Sequence, residues 1–417
     1  MFAKPSTRWA LLPAAALTMA LVVTGCSSDS GSSTVDESVL GTPNKAIGEP
    51  IKIAFNSEGK GAHVDTTMEI AAARATASYV NDYLGGINGR PLEIVLVCEN
   101  QTLPSRARDC ANKYVQSDAV AVVSGPNGNV DPIIEVTSPA GLPYFNLGST
   151  QQAFSAPNSY VMVNSLGTLV GVPAAYAKEK GFTKVAIVTI DVPAVVGPLS
   201  QLGRLVYGNV GATADIVALP PGTPDHTPQI QAALTKDPQM FQIIGDPAFC
   251  TSTLKAIRTL DAQQPIVTVA QCLGDETAAT SIPGGYAGLL VATQFSVDPT
   301  QNDTKLFDAV IDKYTNDKIK TGTAPTGFQS VLGFARAMTG IQGEVTRATV
   351  SAHLSTMSVP QPMPLGAGAT FQCGNKVIAI APNICAKDGL LGRAQEDGTV
   401  VDVKTVDVSP LLKPPTA

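Results

Sequence analysis

The chain is short of the features that most functional classes require. Charged residues make up only 15 % of its 417 positions, formal net charge is −6, and no basic run stands out. A nucleic-acid partner is therefore not expected. Histidine occurs three times, at His63, His226 and His353, and no CxxC pair exists, so no metal site is expected. There is no GxGxxG fingerprint, Walker-type loop, GxSxG elbow or HExxH helix. A nucleotide-dependent enzyme, a serine hydrolase and a zinc protease each lack their signature. The expectation is a protein that is not an enzyme and carries no cofactor.

Long apolar runs are also missing, except at the start. Lys4 and Arg8 precede an apolar stretch from Trp9 to Val23, which meets Val23-Thr24-Gly25-Cys26. A basic head, a short apolar segment and small residues at the cut describe a secretory signal over residues 1–25. The run is about 15 residues, short of the roughly 20 that a membrane span needs. Cys26 after small residues resembles the bacterial lipobox, in which that cysteine is lipidated and becomes the mature first residue. Residues 26–49 lack aromatics and helical periodicity and read as a flexible tether.

Apart from Cys26, six cysteines remain: Cys98, Cys110, Cys250, Cys272, Cys373 and Cys385. Outside the cytosol an even set favours disulfides, although 15 connectivities are open. Sequence neighbours suggest Cys98–Cys110, Cys250–Cys272 and Cys373–Cys385.

The rest of the chain alternates between strand and helix patterns. "IKIAF" (51–55) reads as a strand, and Ile70, Ala73, Ala77, Val80 and Leu84 then recur at helical spacing. "LEIVLVC", "AVAVVSG", "LPYFNLG", "KVAIVTID", "QMFQIIGD", "PIVTVA" and "GLLVATQF" follow as further strands separated by helices. Near-continuous apolar strands of this kind argue for parallel sheets covered on both faces. At this length two lobes are the natural arrangement. In open parallel sheets ligands bind beyond the carboxyl ends of the strands. Those ends carry Asn56-Ser57-Glu58, Gly125 to Asn129, Gly148-Ser149-Thr150 and Asp246-Pro247.

"GGINGRPLEIV", "AVAVVSGPNG", "GLPYFNLGST" and "GFTKVAIVTID", in this order, resemble the leucine/isoleucine/valine-binding group of type I periplasmic binding proteins. These are solute-binding lipoproteins of ABC importers. The resemblance runs from Ile51 to about Val403. It implies two doubly wound α/β lobes joined by three hinge crossovers, with lobe I at about 50–168 plus 296–343. Lobe II would then be 169–295 plus about 344–417. It also implies a small carboxylate-bearing ligand of amino-acid type, with an apolar or aromatic carboxylate or an amide as competitor, together with an ABC permease as membrane partner, a lipid anchor, an extracytoplasmic location and a monomer. A sensory ligand-binding protein of the same fold is the alternative.

In this family the turns after the third and fourth strands grip the ligand's carboxylate. Ser149, Thr150 and the amides of Gly148 to Thr150 fit that role, since hydroxyls and free amides at a helix start favour an anion. Asn129 stands where the family usually has a serine. The same hydroxyls could instead only cap the following helix. The resemblance places Val196 where a tyrosine is usual, Phe249 at an acidic position, and Asp65 near a stacking aromatic. The usual partner for an α-ammonium is thus missing, unless Asp246, Asp65 or Glu58 replaces it. Asp246 before Pro247 also has a local reading as a turn-starting residue. Lys60 and His63 read as solvated loop residues.

Overall fold

A strand buried on both faces must be apolar along its whole length, and β1 (Ile51–Ser57) is buried at six of its seven positions. With β2 (Leu92–Glu99), β3 (Ala121–Ser124), β4 (Tyr144–Asn146) and β5 (Ser159–Val161) it forms an all-parallel sheet, ordered β2-β1-β3-β4-β5. The order reverses between β1 and β3, which opens a crevice at their carboxyl ends. The structure, a computed structural model, describes residues 37–61, 65–274, 276–315, 319–320 and 322–414. Cys26 and His63 lie outside the described residues.

The second sheet contains β6 (Lys184–Ile190), β7 (Thr213–Leu219), β8 (Met240–Ile244), β9 (Ile266–Val269) and β10 (Leu290–Thr293), all parallel. A two-stranded ribbon, β11 (Gln361–Pro362) with β12 (Thr370–Phe371), stands apart. The sheet is completed by β13 (Asp388–Ala394) and β14 (Val400–Asp407), both paired antiparallel, in the order β14-β13-β10-β9-β8-β6-β7. The two doubly wound lobes expected from the sequence are present, with an antiparallel hairpin added to one edge of the second. The chain passes between the sheets three times: after β5, after β10 and before β13.

Lobe I carries α1 (Thr67–Tyr83), α2 (Pro104–Gln116), α3 (Val130–Thr137) and α4 (Gln151–Ser155). Lobe II carries α5 (Val172–Lys180), α6 (Pro193–Gly208), α7 (Thr227–Leu234), α8 (Pro247–Thr259) and α9 (Glu276–Ala279). The chain then returns to lobe I, where α10 (Asn302–Tyr314) and α11 (Ala324–Ala337) pack on α1. Gly327 makes the closest approach. A Cβ there would lie 2.1 Å from the Glu69 carbonyl oxygen, so only glycine lets these helices meet.

Two boundaries differ from the sequence reading. The segment after 344 was expected in lobe II, but α12 (Arg347–Ser355) sits on lobe I. Its Arg347 donates to the carbonyls of Val115, Ser117 and Ala119, and Tyr160 and Asn158 hydrogen-bond Ser351. Asn383 and Cys385 continue the contact, pairing by backbone with Val161 beside β5. Only β13 and β14 join the second sheet. The signal missed was the guanidinium, which fills three carbonyls left open at the end of α2.

The tether expected over 26–49 is the second. Residues 37–49 are fixed to lobe I: Asn44, Ala46 and Ile47 donate backbone N–H groups to Asp82, Asn81 and Gly89 at 2.7–2.9 Å. Lys313 pairs with Glu37 at 3.1 Å, and Leu40 is only 2 % exposed. Leu40→Ala should therefore lower unfolding free energy by about 2–5 kcal/mol, the range for emptying a buried leucine site. Urea denaturation checks this; an unchanged midpoint would mean the segment is a free tether after all.

Candidate functional site

The turns after β1, β3 and β4 meet at the crevice of lobe I, and the chain's own hydrogen bonds hold them together. Glu58, just past β1, accepts a hydrogen bond from Gly128 N in the β3 turn at 2.9 Å. Within that turn Asn127 Oδ1 accepts from Asn129 N at 2.7 Å. After β4, Asn146 Oδ1 accepts from Gly148 N at 2.9 Å, and Ser165 donates to the Gly148 carbonyl. Ser149 is exposed. Thr150 is the N-cap of α4: its side chain accepts from Ala153 N at 3.2 Å and donates to Asp131 in the first turn of α3. Asn129, Gly148, Ser149 and Thr150 are thus brought into one cluster, together with Glu58 and Asp131.

This arrangement engages the Thr150 hydroxyl within the chain. A hydroxyl has one proton, and that of Thr150 goes to the Asp131 carboxylate while its lone pair caps α4. Asn129 occupies the N-cap position of α3 without a side-chain cap.

Val196, Asp246 and Phe249 lie in lobe II, Val196 in the helix after β6 and Asp246 and Phe249 at the start of the helix after β8. Val196 is half-buried in α6, and its carbonyl accepts from Ser200 at 2.7 Å. Asp246 caps α8 by accepting from Phe249 N at 2.9 Å, the turn-starting role its local chemistry suggests. Phe249 is not on an open wall: its ring packs in the lobe II core, 4.9 Å from the ring of His226. The aromatic at the acidic position therefore serves the core. Asp65 is exposed and accepts from the Thr67 hydroxyl and amide at 2.6 and 3.0 Å. Those two bonds hold its carboxyl below the usual range, and they commit it to starting α1.

The residue that sequence reasoning missed is Glu69. Its place in α1 puts it on a buried face with Ala72, Ala73, Thr76 and Val80, whereas Leu84, expected on the apolar face, is exposed. The i, i+3, i+4, i+7 spacing could have shown this, because an acid on that stripe has to be buried. The Glu69 carboxyl fills the space beneath Gly125; a Cβ on Gly125 would lie 2.4 Å from Oε2. Burial pushes its pKa up to about 8, against the opposing effect of its hydrogen bond with Thr326. Thr326 Oγ1 lies 2.9 Å from Glu69 Oε2 and 2.7 Å from the Thr323 carbonyl. One hydroxyl proton cannot serve both, and a protonated Glu69 resolves the conflict by donating itself.

Around it lies a buried polar layer at the strand ends. Asn56 donates to Ser124 at 3.0 Å, Ser124 donates to the Gly125 carbonyl, and Tyr114 donates to Asn56 at 3.1 Å. The Tyr144 hydroxyl is buried in this layer, and among the described residues the buried Asn127 Nδ2 has no hydrogen-bond partner. Among the described residues no cluster of histidine, cysteine or carboxylates could hold a metal ion.

Residues 50–381 match the periplasmic binding protein family. The chain belongs to that family. Solved structures agree in fold. A putative branched-chain amino acid ABC transporter protein from Rhodospirillum rubrum superimposes with TM-score 0.67 at 17 % identity, covering 86 % of this chain and 100 % of that one. The branched-chain amino acid transporter substrate binding protein LivJ from Streptococcus pneumoniae, in complex with isoleucine, gives 0.62 at 21 %, covering 86 % and 99 %. A solute binding protein from R. palustris in complex with 4-hydroxybenzoate gives 0.65 at 15 %, covering 86 % and 96 %. No curated protein matches the chain.

In this periplasmic binding protein the strand-end turns are tied down by disulfides. Cys98 at the end of β2 is joined to Cys110 in α2, and Cys250 in α8 to Cys272 just past β9. Cys373 and Cys385 close the segment lying on β5. Glu69 in turn gives the fold a pH dependence. The folded state keeps a proton that the unfolded glutamate releases above about pH 4.3. Stability from this group is fully present below that value and is lost as pH rises towards about 8. Glu69→Gln should remove this slope, so that the variant gains on wild type between pH 5 and 8 in urea unfolding. Parallel pH profiles would show that the wild-type carboxyl is not protonated in the fold.

Proposed function

We propose that this chain is the extracytoplasmic solute-binding component of an ABC importer, lipid-anchored through Cys26. Its lobes close over a small solute by hinge motion and present it to a membrane permease, and the chain acts as a monomer. The observation that carries this reading is the family match across both lobes, together with three chain passes between sheets whose polar turns lie at the strand ends. The solved neighbours hold isoleucine or 4-hydroxybenzoate, and another is described as a fatty acid transporter protein.

Micromolar affinity corresponds to about −8 kcal/mol. A few hydrogen bonds at the turns, and apolar carbons removed from water at about 25 cal/mol per Å², are enough to supply it on closure. The amino-acid-type carboxylate implied by the resemblance fits poorly with the engaged Thr150 hydroxyl, and the solute's chemistry is taken up below.

The reading has two tests. Purified protein should be stabilised in a saturable way by at least one compound from a panel of small metabolites, by about 2.7 kcal/mol at 100 times the dissociation constant. A panel spanning amino acids, aromatic acids, fatty acids, amides and amines with no stabilising member would count against it. For the anchor, Cys26→Ser should move the protein from the membrane to the soluble fraction. Each buried methylene of an acyl chain contributes about 0.8 kcal/mol, and an unchanged distribution would rule out lipid at this position.

A further inference from the structure

Two carboxylates occupy the lobe I turns where the family resemblance places a ligand carboxylate. Glu58 accepts from Gly128 N, and Asp131 accepts from the Thr150 hydroxyl. Both are half-buried, and each uses one of roughly four lone-pair sites, leaving acceptors over. A different observation comes from the same β3 turn. Asn127 is 8 % exposed, its Oδ1 is engaged by Asn129 N, and its Nδ2 donor has no partner among the described residues. A buried donor left unmatched costs about 1–3 kcal/mol, so a partner for it is expected. The turn cluster therefore offers spare acceptors on two acids and one spare donor on an amide.

Three head groups can be weighed against that inventory. A carboxylate would satisfy Asn127 but bring a third negative charge to Glu58 and Asp131. An ammonium would satisfy the acids but has no acceptor for Asn127. A carboxamide or ureido group has N–H donors for the acids and a carbonyl for Asn127. Glu69, beneath Gly125 of this turn, adds no formal charge while it holds its proton. We propose that lobe I recognises the uncharged amide-type head group of a small solute, with Glu58 and Asp131 accepting its N–H groups and Asn127 donating to its carbonyl. This rests on the solute-binding reading above and specifies the ligand within it.

The experiment uses matched sets that share a carbon skeleton: isobutyrate, isobutyramide and isobutylamine; 4-hydroxybenzoate and 4-hydroxybenzamide; isoleucine and isoleucinamide; with urea added. Binding is read by native mass spectrometry and by thermal shift on the full mature chain. The amide, or urea, should bind at least tenfold more tightly than the acid or amine of its set. An acid or amine that binds more tightly than its amide overturns the proposal while leaving solute binding standing. Failure of every compound overturns the proposal, and the wider metabolite panel above decides the solute-binding reading separately. Asp131→Asn keeps an acceptor for Thr150 while removing the charge, and should raise acid affinity relative to amide by at least tenfold. A ratio unchanged in that variant, with its unfolding midpoint intact, removes Asp131 from the recognition role.

Discussion

Lobe I is assembled around one buried carboxyl group. Glu69 lies between two glycines: a Cβ on Gly125 would strike its carboxyl, and a Cβ on Gly327 would strike its backbone carbonyl. The first glycine belongs to the β3 turn of the first lobe segment. The second belongs to α11, which the chain reaches only after building most of lobe II. One residue thus meets a returning helix through its backbone carbonyl and a turn at the crevice through its carboxyl. A charged carboxylate in that space would be costly, since burial disfavours the ionised form strongly. Protonation relieves the penalty, and Thr326 from α11 accepts the hydrogen bond that the protonated carboxyl then donates. The helix that completes the lobe also satisfies the acid that shapes its site.

The covalent ties follow the same division. Each disulfide joins residues within one lobe: Cys98–Cys110 and Cys373–Cys385 on lobe I, Cys250–Cys272 on lobe II. None spans a pass between the sheets. Cross-links of this type restrict the unfolded chain and secure loops, typically for 2–4 kcal/mol each. Placed within lobes, they stiffen the turns while leaving the connections free to absorb a hinge rotation. Fixing residues 37–49 to α1 and α10 has the same character, since it ties the amino-terminal segment to lobe I alone.

The parallel sheets were legible because two-sided burial demands unbroken apolar strands, as in "KVAIVTI" and "IKIAF". The β4 turn was legible as a site of hydroxyl chemistry, and Asp246 as a turn starter. Less was visible where partners lie far apart in sequence. Arg347 finds its carbonyls some 230 positions earlier, and nothing local distinguishes it from a solvated arginine. Asp131 is an ordinary first-turn acid until the β4 turn brings Thr150 to it. β14, exposed along much of its length, lacks the continuous apolar signal that marked the inner strands. Local chemistry predicted local roles; long-range pairing decided which groups were already spent.

That distinction bears on what the cleft can hold. The turn Gly148-Ser149-Thr150 offers donors, and the chain supplies an anion of its own beside it in Asp131. Two unit charges 4 Å apart at an effective dielectric of about 20 interact by about 4 kcal/mol. A charge-assisted hydrogen bond returns about 1.5–3 kcal/mol. At that separation the repulsion between Asp131 and a ligand carboxylate would exceed what one such bond returns. Moving that hydroxyl would also strand a carboxylate that now has its donor. The hydroxyls at this strand end mark a polar turn, and the chain's own acid, Asp131, already takes the Thr150 proton.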